Sequence, residues 1–222
     1  MSAVTLSAVL WDMDGTLVDT EPYWIDTEYA MAEKYGGTWS QEHAMNLVGN
    51  ALLDSGDYIR VHMGIDRTPQ QIVDELLDGV VARVEEEVPW RPGARELLGD
   101  LHAQGVPCAL VTMSWQRFVT PILAHLPDGI FASVVTGDRV EFGKPHPEPY
   151  LTAAAELGVA PADCVAIEDS NTGAKSAVAA GCTTLCVPHH VPILEGEGRV
   201  FADTLAGLDT AGLRELVRSG RA

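Results

Sequence analysis

The stretch Ala8-Val9-Leu10-Trp11-Asp12-Met13-Asp14-Gly15-Thr16 decides how this chain is read. Four apolar residues in a row fit a strand buried on both faces, the kind found in parallel sheets. The run then breaks into two carboxylates and a turn glycine. Similar runs recur at Cys108-Ala109-Leu110-Val111, Ala132-Ser133-Val134-Val135, Cys164-Val165-Ala166-Ile167 and Thr184-Leu185-Cys186-Val187. Helical patterns lie between them. Pro92 to Gln104 carries Ala94, Leu97, Leu98 and Leu101 on one stripe and stops at Gly105. Pro147 to Leu157 stops at Gly158, and Asn171 to Ala180 stops at Gly181. Glycine just past a helix is a common left-handed terminator. Leu205 to Val217 reads as a closing helix. Strands alternating with helices in this way predict an α/β fold with a doubly wound, parallel, Rossmann-like sheet.

One segment breaks the rhythm. From Asp19 to Val88 no strand-like run appears, only helical patterns such as Ile25, Tyr29, Ala32 and Ile72, Leu76, Leu77, Val80, Val84. A crossover between parallel strands needs about a dozen residues, far fewer than this. The expectation is a core of residues 1–18 and 89–222, with residues 19–88 inserted as a small all-helical domain.

Composition narrows the function. Of 222 residues, 46% are apolar and 21% charged, a globular balance; 14 Lys and Arg against 32 Asp and Glu give a net charge of −18. A field of that sign repels nucleic acid and anionic membrane surfaces, so neither is an expected partner. No apolar stretch approaches the ~18 residues a membrane span needs. Met1 to Leu10 lacks a basic leader region and reads as a buried strand, so the expected location is the cytoplasm. Cys108, Cys164, Cys182 and Cys186 sit among apolar residues and read as reduced structural thiols. His189 and His190 follow them, but adjacent histidines tend to diverge, and the pair is not read as a metal site.

The chemistry gathers where strands end. In open α/β sheets ligands bind at the carboxyl ends of the strands. Asp12 and Asp14, two apart on an extended chain, point the same way about 6.6 Å apart, room for a phosphoryl group or a metal. Two carboxylates so close call for a cation or a shared proton. Later strand ends supply the complement: Thr112, Met113 and Ser114 after Val111, Lys144 between Gly143 and Pro145, and Glu168-Asp169 after Ile167. Each has a plain alternative as a helix cap or a solvated loop charge. Their joint position at carboxyl ends of one sheet is what points to a site.

On these residues the chain resembles the haloacid dehalogenase superfamily, in its phosphatase and β-phosphoglucomutase-like branch. The resemblance spans the whole chain through four motifs. They are Asp12-Met13-Asp14-Gly15-Thr16-Leu17-Val18-Asp19-Thr20-Glu21, then Thr112, then Lys144 within Gly143-Lys144-Pro145-His146-Pro147-Glu148-Pro149-Tyr150, then Glu168-Asp169-Ser170 with Gly173 and Gly181. The helical insertion matches that family's cap domain. The resemblance implies Asp12 as nucleophile forming an aspartyl-phosphate, Asp14 as general acid and base, and Thr112 and Lys144 as holders of the phosphoryl charge. It implies a Mg²⁺ ion on Asp12, the Asp14 carbonyl and Asp169, with Glu168 a direct or water-mediated ligand; an all-oxygen shell suits that ion. The implied substrate is a small phosphorylated metabolite, and the implied assembly a monomer. Glu21, Trp24, Gly49 and Asn50 of the cap, with Met113, Ser114, Trp115 and Gln116 of the core, are the expected substrate contacts.

Two rivals share parts of this pattern. A β-phosphoglucomutase-type enzyme must grip a second phosphate with basic residues, and the places where its relatives carry them hold Trp24, Val48, Leu52 and Trp115. Gln116 can still donate a hydrogen bond, and Arg60 or Arg67 can substitute from elsewhere in the insertion. A phospho-accepting receiver switch also combines acids, a Thr and a Lys at strand ends, but is shorter and lacks an insertion.

Overall fold

The computed structural model describes residues 6–48 and 50–219. Six strands form one all-parallel sheet: β1 (Ala8–Trp11), β2 (Cys108–Val111), β3 (Ser133–Val135), β4 (Cys164–Glu168), β5 (Thr183–Cys186) and β6 (Arg199–Phe201). Their order is β3-β2-β1-β4-β5-β6. The order reverses between β1 and β4, and such a reversal opens a crevice at the carboxyl ends of the two strands. β1 is central, with Leu10 opposite Ala109 on β2 and Ala166 on β4.

The continuous apolar runs have a direct cause. Val9, Trp11, Cys108, Leu110, Val165 and Ile167 pack on one face of the sheet; Ala8, Leu10, Ala109, Val111, Cys164 and Ala166 pack on the other. Side chains alternate along a strand, so burial on both faces demands apolar residues at every position. The first face is covered by α5 (Ala94–Ala103), α6 (Gln116–Leu123) and α9 (Thr210–Ser219), and the second by α7 (Glu148–Leu157) and α8 (Asn171–Ala180). Gly158 and Gly181 end α7 and α8 in the left-handed conformation. The closing helix therefore starts five residues later than expected, at Thr210.

Between β1 and β2 lie α1 (Glu21–Tyr35), α2 (Gln41–Met45), α3 (Leu52–Met63) and α4 (Pro69–Glu86). Thr68 and Gln71 form a reciprocal capping box at the start of α4. α4 has two apolar faces. Ile72 and Leu76 join Met31, Ala32, Leu47, Ile59, Met63 and Ile65 in a cluster within the insertion. Val73, Leu77, Val80 and Val84 join the main core. On α1 the buried residues are Thr27, Glu28, Met31 and Ala32, whereas Tyr29 is exposed. The buried face thus differs from the Ile25–Tyr29 stripe expected from hydrophobicity. No described helix is long and apolar enough to cross a membrane.

The insertion leaves and rejoins the sheet side by side. Asp19 N–H donates to the Pro89 carbonyl at 2.7 Å, Arg91 N–H to Leu17 at 3.0 Å, and Val18 pairs antiparallel with Trp90.

Candidate active site

Asp12 extends the register of β1, its N–H donating to the Ile167 carbonyl of β4 at 3.0 Å. The side chain is nearly buried and split in function: Oδ1 accepts from Lys144 Nζ at 2.6 Å, while Oδ2 is buried with no partner. Lys144 is itself enclosed. Its ammonium also donates to Glu168 Oε1 at 2.7 Å and to the Val111 carbonyl at 2.9 Å. An ammonium has three protons, so all its donors are taken. Burial opposes the charge, but the Asp12 and Glu168 carboxylates outweigh it and hold the Lys144 pKa above the ordinary lysine value.

Asp14 faces a different set. Thr20 Oγ1 donates to its Oδ1 at 2.6 Å, and Ser114 Oγ and Thr112 Oγ1 reach its Oδ2 at 2.8 and 3.3 Å. Burial raises its pKa and the neighbouring Asp12 charge adds to the rise, against the three hydroxyls that stabilise the carboxylate. Opposed influences of this kind are what hold a carboxyl able both to release and to take up a proton. Thr112 Oγ1 also accepts the Ser114 N–H at 3.0 Å, which fixes the turn after β2.

The opposite wall is acidic. Glu168, fully buried, accepts from Tyr150 OH at 2.5 Å and from Ser170 Oγ at 3.2 Å. Asp169 lies beside it. Burial, then repulsion from Asp12, raises both pKa values. Two glycines make room for this wall. A Cβ on Gly173 would stand 1.9 Å from Glu168 Oε1, and one on Gly15, whose φ is +86°, would stand 2.0 Å from Asp169 Oδ2. Oxygens of Asp12, Glu168 and Asp169 come within 4.8 Å of one another. An orphaned buried carboxylate oxygen, an all-oxygen donor set and an excess of negative charge over the one lysine fit a hard divalent cation such as Mg²⁺. The Asp14 carboxyl is engaged by hydroxyls and lies outside that cluster.

These groups open into a cavity of about 280 Å³ roofed by the insertion. Glu21, Trp24, Glu28, Val48, Asn50 and Leu52 line it from above; Met113, Ser114 and Lys144 line it from the core. Trp24 also meets Phe118 edge-on, centroids 5.2 Å apart, so it serves both cavity and packing. Gly49 lies outside the described residues. Trp115 and Gln116 are placed away from the cavity wall. Trp115 packs against the main core at the start of α6, and Gln116 spends its amide on Thr120 Oγ1 at 3.0 Å. Arg60 is paired with Asp57 and Arg67 sits over the Tyr35 ring, both outside the cavity lining. Thr20, Tyr150 and Glu28 are the groups that sequence reasoning did not single out. The first two stood inside the quoted motifs; Glu28 carried no motif at all.

His189 and His190 do not diverge. Their Nε2 atoms stand 3.0 and 3.1 Å from the two oxygens of Asp19. The chain there is irregular, so the alternation that separates neighbouring side chains on a strand does not apply. Burial pushes the four thiols up, Cys164 to about 11 and Cys108, Cys182 and Cys186 to about 12, which keeps them protonated and inert.

The haloacid dehalogenase-like hydrolase family matches residues 9–187, a span that includes Asp12, Asp14, Thr112, Ser114, Lys144, Glu168 and Asp169 but not His189 or His190. The chain belongs to that family. Among this hydrolase's relatives, hexitol phosphatase B of Escherichia coli is 31% identical over 221 residues, covering 94% of this chain and 93% of the relative. Phosphoglycolate phosphatase of Shigella boydii is 33% identical over 203 residues, covering 81% and 80%. The CbbY protein of Rhodobacter sphaeroides, solved with phosphate, superposes with a TM-score of 0.84 at 27% identity, covering 94% of this chain and 99% of its own. CbbY has also been solved with xylulose 1,5-bisphosphate. β-Phosphoglucomutase of Clostridium difficile shares the fold at a TM-score of 0.80, 21% identity and coverage of 97% and 99%. The hydrolase is a phosphoric monoester hydrolase in the company of these named phosphatases.

Proposed function

We propose that this hydrolase cleaves a small phosphorylated metabolite, a sugar phosphate or similar monoester, through a phosphoryl group carried on Asp12. The observation that bears most weight is the division of Asp12: Lys144 fixes one oxygen and leaves the other buried, unpartnered and beside the cavity. An anchored, partly dehydrated carboxylate is a competent nucleophile toward phosphorus. Asp14 would protonate the departing alcohol oxygen and then take a proton from the water that attacks the aspartyl-phosphate. Thr112, Ser114 and nearby N–H groups would hold the phosphoryl oxygens, with Lys144 balancing their charge. Asp12, Asp169, the Asp14 carbonyl and Glu168, directly or through water, would hold Mg²⁺, which when bound offsets repulsion between an anionic nucleophile and an anionic ester. Residues 19–88 would act as the cap that excludes water, in a monomeric, cytoplasmic enzyme.

Hydrolysis is favoured over phosphomutase chemistry for a specific reason. A mutase must retain a bisphosphate by its remote dianion, which calls for Arg or Lys. Val48 and Leu52 line the cavity instead, and neither Arg60 nor Arg67 reaches it. The test is phosphate release from a panel of sugar, polyol and nucleoside monophosphates, run beside β-glucose 1-phosphate with a trace of its 1,6-bisphosphate. Release of phosphate faster than formation of glucose 6-phosphate is expected; the reverse order would establish a mutase.

A further inference from the structure

The cavity has an acidic roof as well as an acidic floor. Glu21 and Glu28 stand seven residues apart on α1, two helical turns, so both carboxyls face the same way about 10 Å apart along the axis. Both line the cavity. Glu28 is 4% exposed, and Trp39 Nε1 donates to its Oε2 at 2.9 Å. Its Oε1 accepts no hydrogen bond among the described residues. That oxygen is not one of the enclosed orphan atoms; it is reached from the cavity and is free to meet a ligand there.

The charge inventory says what that partner is not. Lys144 is the one Lys or Arg among the described residues lining the cavity, and its three donors are spent on Asp12, Glu168 and Val111. A second anionic group on the substrate would enter facing Glu21 and Glu28 with no further Lys or Arg among the described residues to meet it, and His190, which also lines the cavity, is engaged by Asp19. Hydroxyl groups, by contrast, pair with a carboxyl in either protonation state, donating to its oxygens or accepting its proton. Met45, Leu47 and Leu76 along the same wall suit the carbon skeleton that carries them.

We propose that Glu28, together with Glu21, is the specificity wall of this site: it receives the hydroxyls of an uncharged, polyhydroxylated leaving group and rejects esters that carry a carboxylate or a second phosphate. The inference rests on the phosphatase reading above and names the substrate class of that same site.

The experiment compares kcat and KM of the Mg²⁺-loaded wild type and Glu28→Gln on four esters. These are a hexitol phosphate, phosphoglycolate, a sugar bisphosphate and p-nitrophenyl phosphate, which has no hydroxyl to read. Glutamine keeps an acceptor for Trp39, removes the charge and puts an N–H donor where Oε1 stood. The wild type should prefer the hexitol phosphate over both doubly anionic esters by about a hundredfold. Glu28→Gln should raise KM for the hexitol phosphate at least about fivefold more than it raises KM for p-nitrophenyl phosphate. Equal wild-type turnover of phosphoglycolate or the bisphosphate would overturn the proposal without any variant. So would an equal loss on all four esters, the mark of a structural role. Absence of turnover on every ester, p-nitrophenyl phosphate included, would overturn the phosphatase reading and this inference with it.

Discussion

Lys144 Nζ lies 2.6 Å from Asp12 Oδ1, and among the described residues Asp12 Oδ2 has no hydrogen-bond partner. One oxygen is an anchor and the other is spare. Asp12→Asn keeps the shape, loses the charge and turns one end into a donor. Its turnover should fall below 1% of wild type while the circular dichroism spectrum and cooperative unfolding persist. A folded variant that retains several per cent of activity would remove Asp12 from the nucleophile's role.

The carboxylates around Asp12 outnumber the lone lysine, so a dication should matter to both activity and fold. Chelation should abolish phosphate release, Mg²⁺ should restore it, and Ca²⁺ should inhibit because its larger and less regular shell misplaces the oxygens. Binding to the native state alone also stabilises it by mass action. Thermal unfolding should therefore shift upward with added Mg²⁺, and Asp169→Asn should weaken the shift. Full activity in chelator would refute the metal-assisted reading.

Gly173 leaves room for Glu168, which a methyl group would strike at 1.9 Å. Overpacking a rigid, buried spot costs about 1–3 kcal/mol. Gly173→Ala should therefore unfold at lower urea than wild type and lose activity, because Glu168 cannot move without releasing Lys144. Gly99→Ala, on α5 where nothing lies within 4 Å, is the matched control: it should leave activity unchanged and raise stability slightly, by about 0.5–1 kcal/mol.

Burial pushes the Glu28 carboxyl up from 4.5 to about 7. The fold thus favours the protonated form. The associated stability is fully present below the unfolded value near 4.5 and is lost as pH rises through about 7. For this group alone the full loss amounts to about 3 kcal/mol. Glu28→Gln should flatten the decline in urea stability between pH 5 and 8.5, measured in Mg²⁺ so that the acidic floor stays ionised. An unchanged slope would mean that Glu28 is ionised in the fold throughout that range. Glu21, raised to about 8 by burial and then by the Asp14 charge, acts in the same direction, so some slope should remain.

What the sequence revealed follows from where each residue sits. β1, β2 and β4 were legible because both of their faces are buried and their polar ends fall at the crevice. β6 escaped notice because only Val200 of Arg199–Phe201 is buried, and an edge strand with one interior residue leaves no run to see. α6 was hidden by Pro121 within eight residues. The buried face of α1 misled for another reason. Ala32 of the expected stripe is buried, but Glu28 is spent on the cavity and Thr27 on a close approach to Gly79 of α4, so the polar pair lies inside and Tyr29 outside. Trp115 and Gln116 were expected at the substrate because they follow Ser114. The chain turns into α6 at that point and carries them away.

The antiparallel contact of Val18 with Trp90 has an architectural consequence. The four helices α1 to α4 hang from a stem whose two legs touch, and beyond the stem the core meets them through Val73, Leu77, Val80 and Val84 of α4. A helical hairpin of another size, grafted onto the same stem, would leave the six strands in register and Asp12, Lys144 and Asp169 in place. It would have to bring an apolar strip of its own for Phe118, now covered by Trp24. On the reading proposed above, chemistry would then be set by the sheet and selectivity largely by the exchangeable segment.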